Sequence, residues 1–280
     1  MGAPWVDSAG WSLVEQASQT LDRDLEHLLL SAGAEELRAT SQAQVATFLV
    51  SLLALRELKK ANALSAMDIT AVAGHSLGEY TALVAAGVLT EQDGLRLVAE
   101  RGRAMQAAAD AAPGTMAAVL GLSDEQVQAA CPAGVWIANL NAPSHVVISG
   151  GAAEMALALT TFKDAGARRV LPLPVGGAFH TPLMAPARER LEAALAQAVY
   201  AEAVVPVFAN LTAQPYGADV PATLSAQLTA PVRWRQTLAA LDVEQVLEVG
   251  PGGVLTGLVK RTRPDLLARS IATPTDLEQP

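Results

Sequence analysis

Apolar residues recur at helical spacing through about the first 60 positions, most clearly over Asp24–Leu30 and Ala43–Leu58, so this stretch predicts helices. The rhythm then changes. Ile69–Ala73 is a short β-prone run that leads into Gly74-His75-Ser76-Leu77-Gly78 and a helix-forming stretch from Tyr80 to Ala86. Thr90-Glu91-Gln92-Asp93 has the spacing of a capping box and opens a further helix, Gly94 to about Ala109.

A different texture starts at Pro113-Gly114. Met116–Leu122 reads as a strand, Ser123–Ala130 as a helix with a serine cap, and Val135–Leu140 and His145–Ser149 as strands around an Asn-Ala-Pro-Ser turn. Ala152–Asp164 is helical and Arg168–Leu173 is strand-like. Strand, helix, strand, strand, helix, strand within about 60 residues is the ferredoxin-like pattern. It predicts an insert at 113–175 within a larger domain made of 1–112 and 176–280. Beyond it come a helix at Pro182–Val199, a strand at Val204–Ala209, a helix around Ala222–Leu228 and a strand at Gln245–Val249 ending in Gly250-Pro251-Gly252-Gly253. Strands alternating with helices on both flanks predict an α/β fold with a mostly parallel sheet.

Composition narrows the class. A chain of 280 residues with 51% hydrophobic and 17% charged residues can bury a substantial core and is not a disordered one. Its apolar runs, such as Ala43–Leu55, are broken by polar residues and are too short to span a bilayer. The first residues lack a basic segment leading into an apolar one, so no secretory signal is visible. The single cysteine, Cys131, excludes an internal disulfide and a cysteine-based zinc site, and beside Pro132 it reads as a helix end. A cytoplasmic protein without metal or cofactor is expected. The net charge of −9 argues against nucleic acid as the main partner. Lys163/Arg168/Arg169 and Lys260/Arg261/Arg263 remain as local basic groups.

The chemistry centres on Gly-x-Ser-x-Gly. Between a strand and a helix, Ser76 sits on a tight turn with its hydroxyl clear of the backbone, beside the unpaired N–H groups of a helix start. Gly74 and Gly78 are both expected to be required there, because side chains would collide across the turn. The plain alternative is a chance match in an alanine-rich loop. A serine nucleophile needs a base, and there are four histidines. His27 lies on a polar-apolar helix, His75 points away from Ser76, and His145 opens a strand of the insert. His180 lies in the glycine-rich loop Gly176–Pro182, and a packed or capping role for it stays open beside a catalytic one. Arg101 shares a helix stripe with Leu97, Val98 and Met105, so its guanidinium must be paired. Either an internal ion pair with Glu79 or Glu248, or a seat for a substrate carboxylate, would satisfy it.

Five motifs then fall in a recognisable order: Gly-His-Ser-Leu-Gly-Glu-Tyr at 74–80, Arg-Gly-Arg-Ala-Met at 101–105, Gly-Ala-Phe-His at 177–180, Gln-Leu-Thr-Ala-Pro-Val-Arg-Trp at 227–234 and Glu-Val-Gly-Pro-Gly at 248–252. Together they resemble malonyl-CoA:acyl-carrier-protein transacylases and the acyltransferase domains of polyketide synthases, over nearly the whole chain. The resemblance implies an α/β-hydrolase-like domain with a ferredoxin-like insert. It implies malonyl transfer from malonyl-CoA to the phosphopantetheine thiol of acyl carrier protein by way of a malonyl-serine. It makes Ser76 the nucleophile, His180 its base held by main-chain carbonyls, Arg101 the carboxylate anchor and Gln227 a residue near the histidine. Leu77 and Phe179 match the malonyl-type signatures beside the nucleophile and the base, and His75 belongs to the same substrate-facing set.

One departure stands out. Family members open with a strand ending in a Gly-Gln-Gly-Ser-Gln type motif whose Gln N–H forms half of the oxyanion hole. No such motif occurs here, and Met1-Gly2 matches a position several residues after it. The expectation is a Leu77 N–H left as one donor, open strand edges, poor solubility and weak activity. A serine hydrolase or thioesterase of the α/β type and an impaired acyltransferase-like interaction module are the alternatives. The hydrolase leaves Arg101 unexplained.

Overall fold

The structure is a computed structural model that describes residues 1–61 and 67–278. Along the chain run α1 (Ser12–Leu21), α2 (Leu25–Leu30), α3 (Ala34–Arg38), α4 (Thr40–Lys60), β1 (Val72–Ala73), α5 (Gly78–Ala85) and α6 (Glu91–Ala111). Then come β2 (Gly114–Leu120), α7 (Asp124–Ala130), β3 (Val135–Ala142), β4 (His145–Gly151), α8 (Ala152–Asp164), β5 (Arg169–Pro172) and α9 (Ala185–Leu195). The remainder is β6 (Val207–Phe208), α10 (Val220–Gln227), α11 (Trp234–Ala240), β7 (Gln245–Val249), α12 (Val254–Thr262) and β8 (Leu267–Ile271). This is a mixed α/β chain. Among the described residues no helix is long and apolar enough to cross a membrane.

The chain packs as two compact units. The first comprises Met1–Gly102, Ala198–Phe208 and Leu241–Pro280. Its centre is α4, which packs against α1, α2, α3, α5 and β7. Val45, Phe48, Leu49, Leu52 and Leu53 of α4 are fully buried, and each contributes about 1.5–3 kcal/mol relative to exposure. Local signals set the boundaries. The Asp24 carboxylate caps α2 by accepting the His27 N–H at 2.8 Å, and the Thr90 hydroxyl accepts the Asp93 N–H at 3.0 Å. That cap starts α6 at Glu91, three residues before the sequence reading placed it. Strands here are parallel pairs: β1 on β6, with Val72 opposite Val207, and β7 on β8, with Glu248 opposite Ser270. The ladder of β1 covers only Val72–Ala73, shorter than the β-prone run at Ile69–Ala73.

The second unit comprises Arg103–Gln197 and Ala209–Ala240. It holds one four-stranded antiparallel sheet in the order β3-β4-β2-β5. Ala117 and Val119 of β2 face α7 and α8 in a core with Val146, Ile148, Phe162 and Val170. Met116 and Ala118 alternate to the other face, packing with Ala138, Val147, Leu173, Val175 and Phe179. Both faces being covered explains why Met116–Leu120 reads as an apolar run rather than an alternation. Ser123 forms a full capping box with Gln126 at the start of α7, and Cys131 follows as its C-cap. The segment after Ala209 is tied to the sheet at Val232, whose N–H bonds to Ala138 O at 2.8 Å and whose carbonyl accepts the Leu140 N–H at 2.9 Å.

Candidate active site

In the first unit, β1 runs into the turn at Gly74–Leu77 and α5 begins at Gly78. Ser76 is held in the left-handed region at φ 52°, a strained conformation for a residue with a side chain. Three main-chain bonds fix the turn: Gly78 N–H to His75 O (2.9 Å), Glu79 N–H to Ser76 O (3.2 Å) and Tyr80 N–H to Leu77 O (3.1 Å). The two glycines are unequal. A Cβ on Gly74 would lie 1.9 Å from the Gly78 carbonyl carbon, whereas one on Gly78 would meet nothing within 4 Å. The expectation that both are sterically required is therefore corrected: only Gly74 is, because the main chain of α5 passes directly over it. Among the described residues nothing accepts the Leu77 N–H, which stays available for an oxyanion.

Arg101 lies beside this turn. Its side chain is only 1% exposed, its NH1 donates to Gln44 Oε1 at 2.6 Å and its NH2 donates to Ser76 Oγ at 3.0 Å. The guanidinium carbon stands 5.8 Å over the Tyr80 ring, within cation–π range. Burial pulls the Arg101 pKa down, while Tyr80 and the carboxylate of Glu79, which is itself buried, oppose the shift. The same burial raises the Tyr80 phenol, so it stays protonated beside the cation. Glu248, one of the two partners expected for an internal ion pair, is engaged elsewhere. Its carboxylate accepts the Leu255 and Thr256 N–H groups at 3.0 and 2.7 Å and caps α12, where a negative charge suits the helix dipole.

In the second unit, His180 is 4% exposed and also left-handed, at φ 60°. Its Nδ1 lies 2.9 Å from the main-chain oxygen of Gln227. A carbonyl can only accept, so Nδ1 carries a proton. Thr181 locks the loop, donating to Ala178 O at 2.7 Å while its hydroxyl accepts the Leu183 N–H at 3.2 Å. A Cβ on Gly177 would lie 2.4 Å from the Phe179 ring, which would have to shift to admit it. The structure thus brings His180 and Gln227 together, places Phe179, the residue before His180, on the sheet face, and groups Ser76, Arg101 and Leu77 around the other turn. His75 is half-buried and contributes its carbonyl to the turn.

Gln44 and Tyr80 were missed by sequence reasoning, whereas Glu79, expected as a partner for Arg101, does act on its charge. Gln44 carried a usable signal, since it is a polar residue in register with the apolar stripe of α4. Of the basic groups, Lys163, Arg168, Arg169, Lys260 and Arg261 are exposed, whereas Arg263 pairs with Asp265 and the Leu241 carbonyl. His27 is exposed, 3.6 Å from Glu36. Burial raises the Cys131 thiol to about 11, as suits an unreactive helix end.

The acyl transferase domain family matches residues 8–272. The chain belongs to the acyl transferase family. Among its relatives, the malonyl CoA-acyl carrier protein transacylase of Bacillus subtilis (strain 168) is 39% identical over 277 residues, covering 95% of this chain and 86% of that protein. A solved acyl-carrier-protein S-malonyltransferase from Bartonella henselae superposes with TM-score 0.93 at 34% identity, over 99% of this chain and 92% of that one. A malonyl-transacylase solved in complex with its type II polyketide acyl-carrier protein also gives TM-score 0.93 at 34% identity, covering 99% and 93%. The family read from the five ordered motifs is the family found, and this acyl transferase chain matches its relatives along nearly their full length.

Proposed function

We propose that the chain is an acyl-carrier-protein S-malonyltransferase, moving a malonyl group from malonyl-CoA to the phosphopantetheine thiol of acyl carrier protein. The observation that carries the chemistry is a buried guanidinium 3.0 Å from the hydroxyl of a serine on a strand-to-helix turn. An arginine that deep is of use to a substrate that brings its own negative charge.

In this reading Ser76 attacks the malonyl thioester and His180 accepts its proton; an Oγ–C bond forms, the C–S bond breaks, and His180 passes the proton to the departing thiolate of coenzyme A. The carrier thiol then gives its proton to His180 as it attacks the malonyl-serine, a C–S bond forms, the Oγ–C bond breaks, and His180 returns the proton to Ser76. The Leu77 N–H stabilises the oxyanion in both halves. Arg101 holds the malonyl carboxylate. Gln227 orients His180 through its main chain, and Leu77, Phe179 and His75 line the acyl group. No metal or cofactor is called for, and the setting is the cytoplasm. We also read 1–112 with 176–280 as an α/β-hydrolase-like domain and 113–175 as a ferredoxin-like insert. The strand–helix–strand–strand–helix–strand order and the β3-β4-β2-β5 sheet support that reading.

The test is to incubate the protein with malonyl-CoA and phosphopantetheinylated carrier protein and follow both products. Malonyl-carrier formation should far exceed release of free malonate. Malonate release without carrier loading would make the chain a hydrolase.

A further inference from the structure

The contact between Arg101 and Ser76 has a consequence for how the nucleophile is controlled. NH2 of Arg101 donates to Ser76 Oγ at 3.0 Å, while NH1 is held by Gln44 Oε1 at 2.6 Å and the group lies over the Tyr80 ring. All these groups belong to the first unit. A hydroxyl oxygen that accepts a charge-assisted bond has a lone pair tied to a cation, and such bonds are about twice as strong as neutral ones. That lone pair must be given up when Oγ attacks, because an ester oxygen is a far poorer acceptor. The bond therefore stabilises the resting serine more than the acylated one, and by itself it slows attack.

We propose that Arg101 is a latch on Ser76 that the substrate's carboxylate releases. In malonyl-CoA the carboxylate is separated from the reacting carbonyl by one methylene. A carboxylate arriving at Arg101 takes the parallel N–H pair bidentately, draws NH2 off Oγ and frees the lone pair as the thioester comes into range. An acetyl or other uncharged acyl group offers the guanidinium nothing, so the serine stays latched. Selectivity then has two parts. One is the seat for the carboxylate, and the other is a nucleophile that stays restrained until the seat is filled. Gln44 is the positioning residue, because its grip on NH1 leaves NH2 as the arm that exchanges partners. This inference rests on Ser76 being the nucleophile of the proposed transfer.

Phenylmethylsulfonyl fluoride, a neutral serine reagent without a carboxylate, tests the latch apart from malonyl chemistry, with Ser76 modification followed by peptide mass spectrometry. Arg101→Met keeps the volume of the buried side chain and should react about fivefold faster than wild type at the same pH. The same variant should lose about 100-fold in acylation by malonyl-CoA. In the wild-type protein, formate should occupy Arg101 and accelerate the sulfonyl fluoride reaction several-fold and saturably, where chloride at equal ionic strength does not. This second arm needs no substituted protein. An unchanged or slower reaction in Arg101→Met, or no acceleration by formate, would overturn the latch. Wild-type protein whose Ser76 takes the sulfonyl group but never malonyl would instead overturn the transferase reading.

Discussion

Ser76 and His180 share a backbone conformation and differ in what surrounds it. Both are non-glycine residues in the left-handed region, at φ 52° and 60°, and each such residue stores about 1 kcal/mol or more of strain. Around Ser76 the surroundings are charged: a buried arginine on its oxygen, with a buried carboxylate in Glu79 and an aromatic ring in Tyr80 acting on that arginine. At His180 a main-chain carbonyl faces Nδ1 and a threonine hydroxyl closes the loop. The contrast separates two tasks. In the proposed transfer, the serine turn reads the charge of the acyl group and the histidine loop takes up the proton.

The most drastic way to break the comparison is to remove the base. His180→Ala should lower Ser76 acylation by about 10²–10⁴-fold, measured as a single-turnover rate with malonyl-CoA. His75→Ala should stay well above it, and a reversal of that order would move the role to the other histidine. Removing the charge reader comes next. Arg101→Met should cost malonyl transfer about 2–4 kcal/mol in kcat/KM and narrow the gap between malonyl-CoA and acetyl-CoA. If the two substrates keep their ratio, Arg101 is a packing residue.

Steric strain at the serine turn can be probed without touching either chemistry. Gly74→Ala drives a Cβ into the main chain of α5 and should destabilise the protein by about 3 kcal/mol. Gly78→Ala faces open space and should change stability by less than about 1 kcal/mol. Thermal melting of the pair decides it, and equal losses would contradict the turn geometry. The smallest effect is expected at Cys131. With its thiol pushed up to about 11, the reactive thiolate is scarce below that pH, so iodoacetamide at pH 8 should label it far more slowly than free cysteine and faster as pH rises.

Much of this was legible in the chain, for reasons that differ by region. The elements of 114–172 could be read one by one, because strands of a single antiparallel sheet are bounded by turns and caps such as Ser123–Gln126. The parallel pairs of the first unit are short, and two-residue ladders like β1 on β6 leave little periodic signal. The helices α11 and α12 and the strand β8 went unread for the same reason: each is short and sits between turn-forming residues. At the site, Ser76 and Arg101 announced themselves by a turn motif and a charge on an apolar stripe. Gln44 and Tyr80 did not, because what makes them matter is a contact across 57 residues in one case and a ring beneath a cation in the other. The inequality of Gly74 and Gly78 was also hidden, since it depends on where the main chain of α5 passes.

The central claim is that Ser76 carries the malonyl group between its two thiol carriers. Its most direct test is to mix the protein with malonyl-CoA, quench it before carrier protein is added, and map the adduct by peptide mass spectrometry. One malonyl group on Ser76, discharged when carrier protein is supplied and absent from Ser76→Ala, is the predicted result. A malonyl group on another residue, or carrier loading that persists in Ser76→Ala, would contradict it.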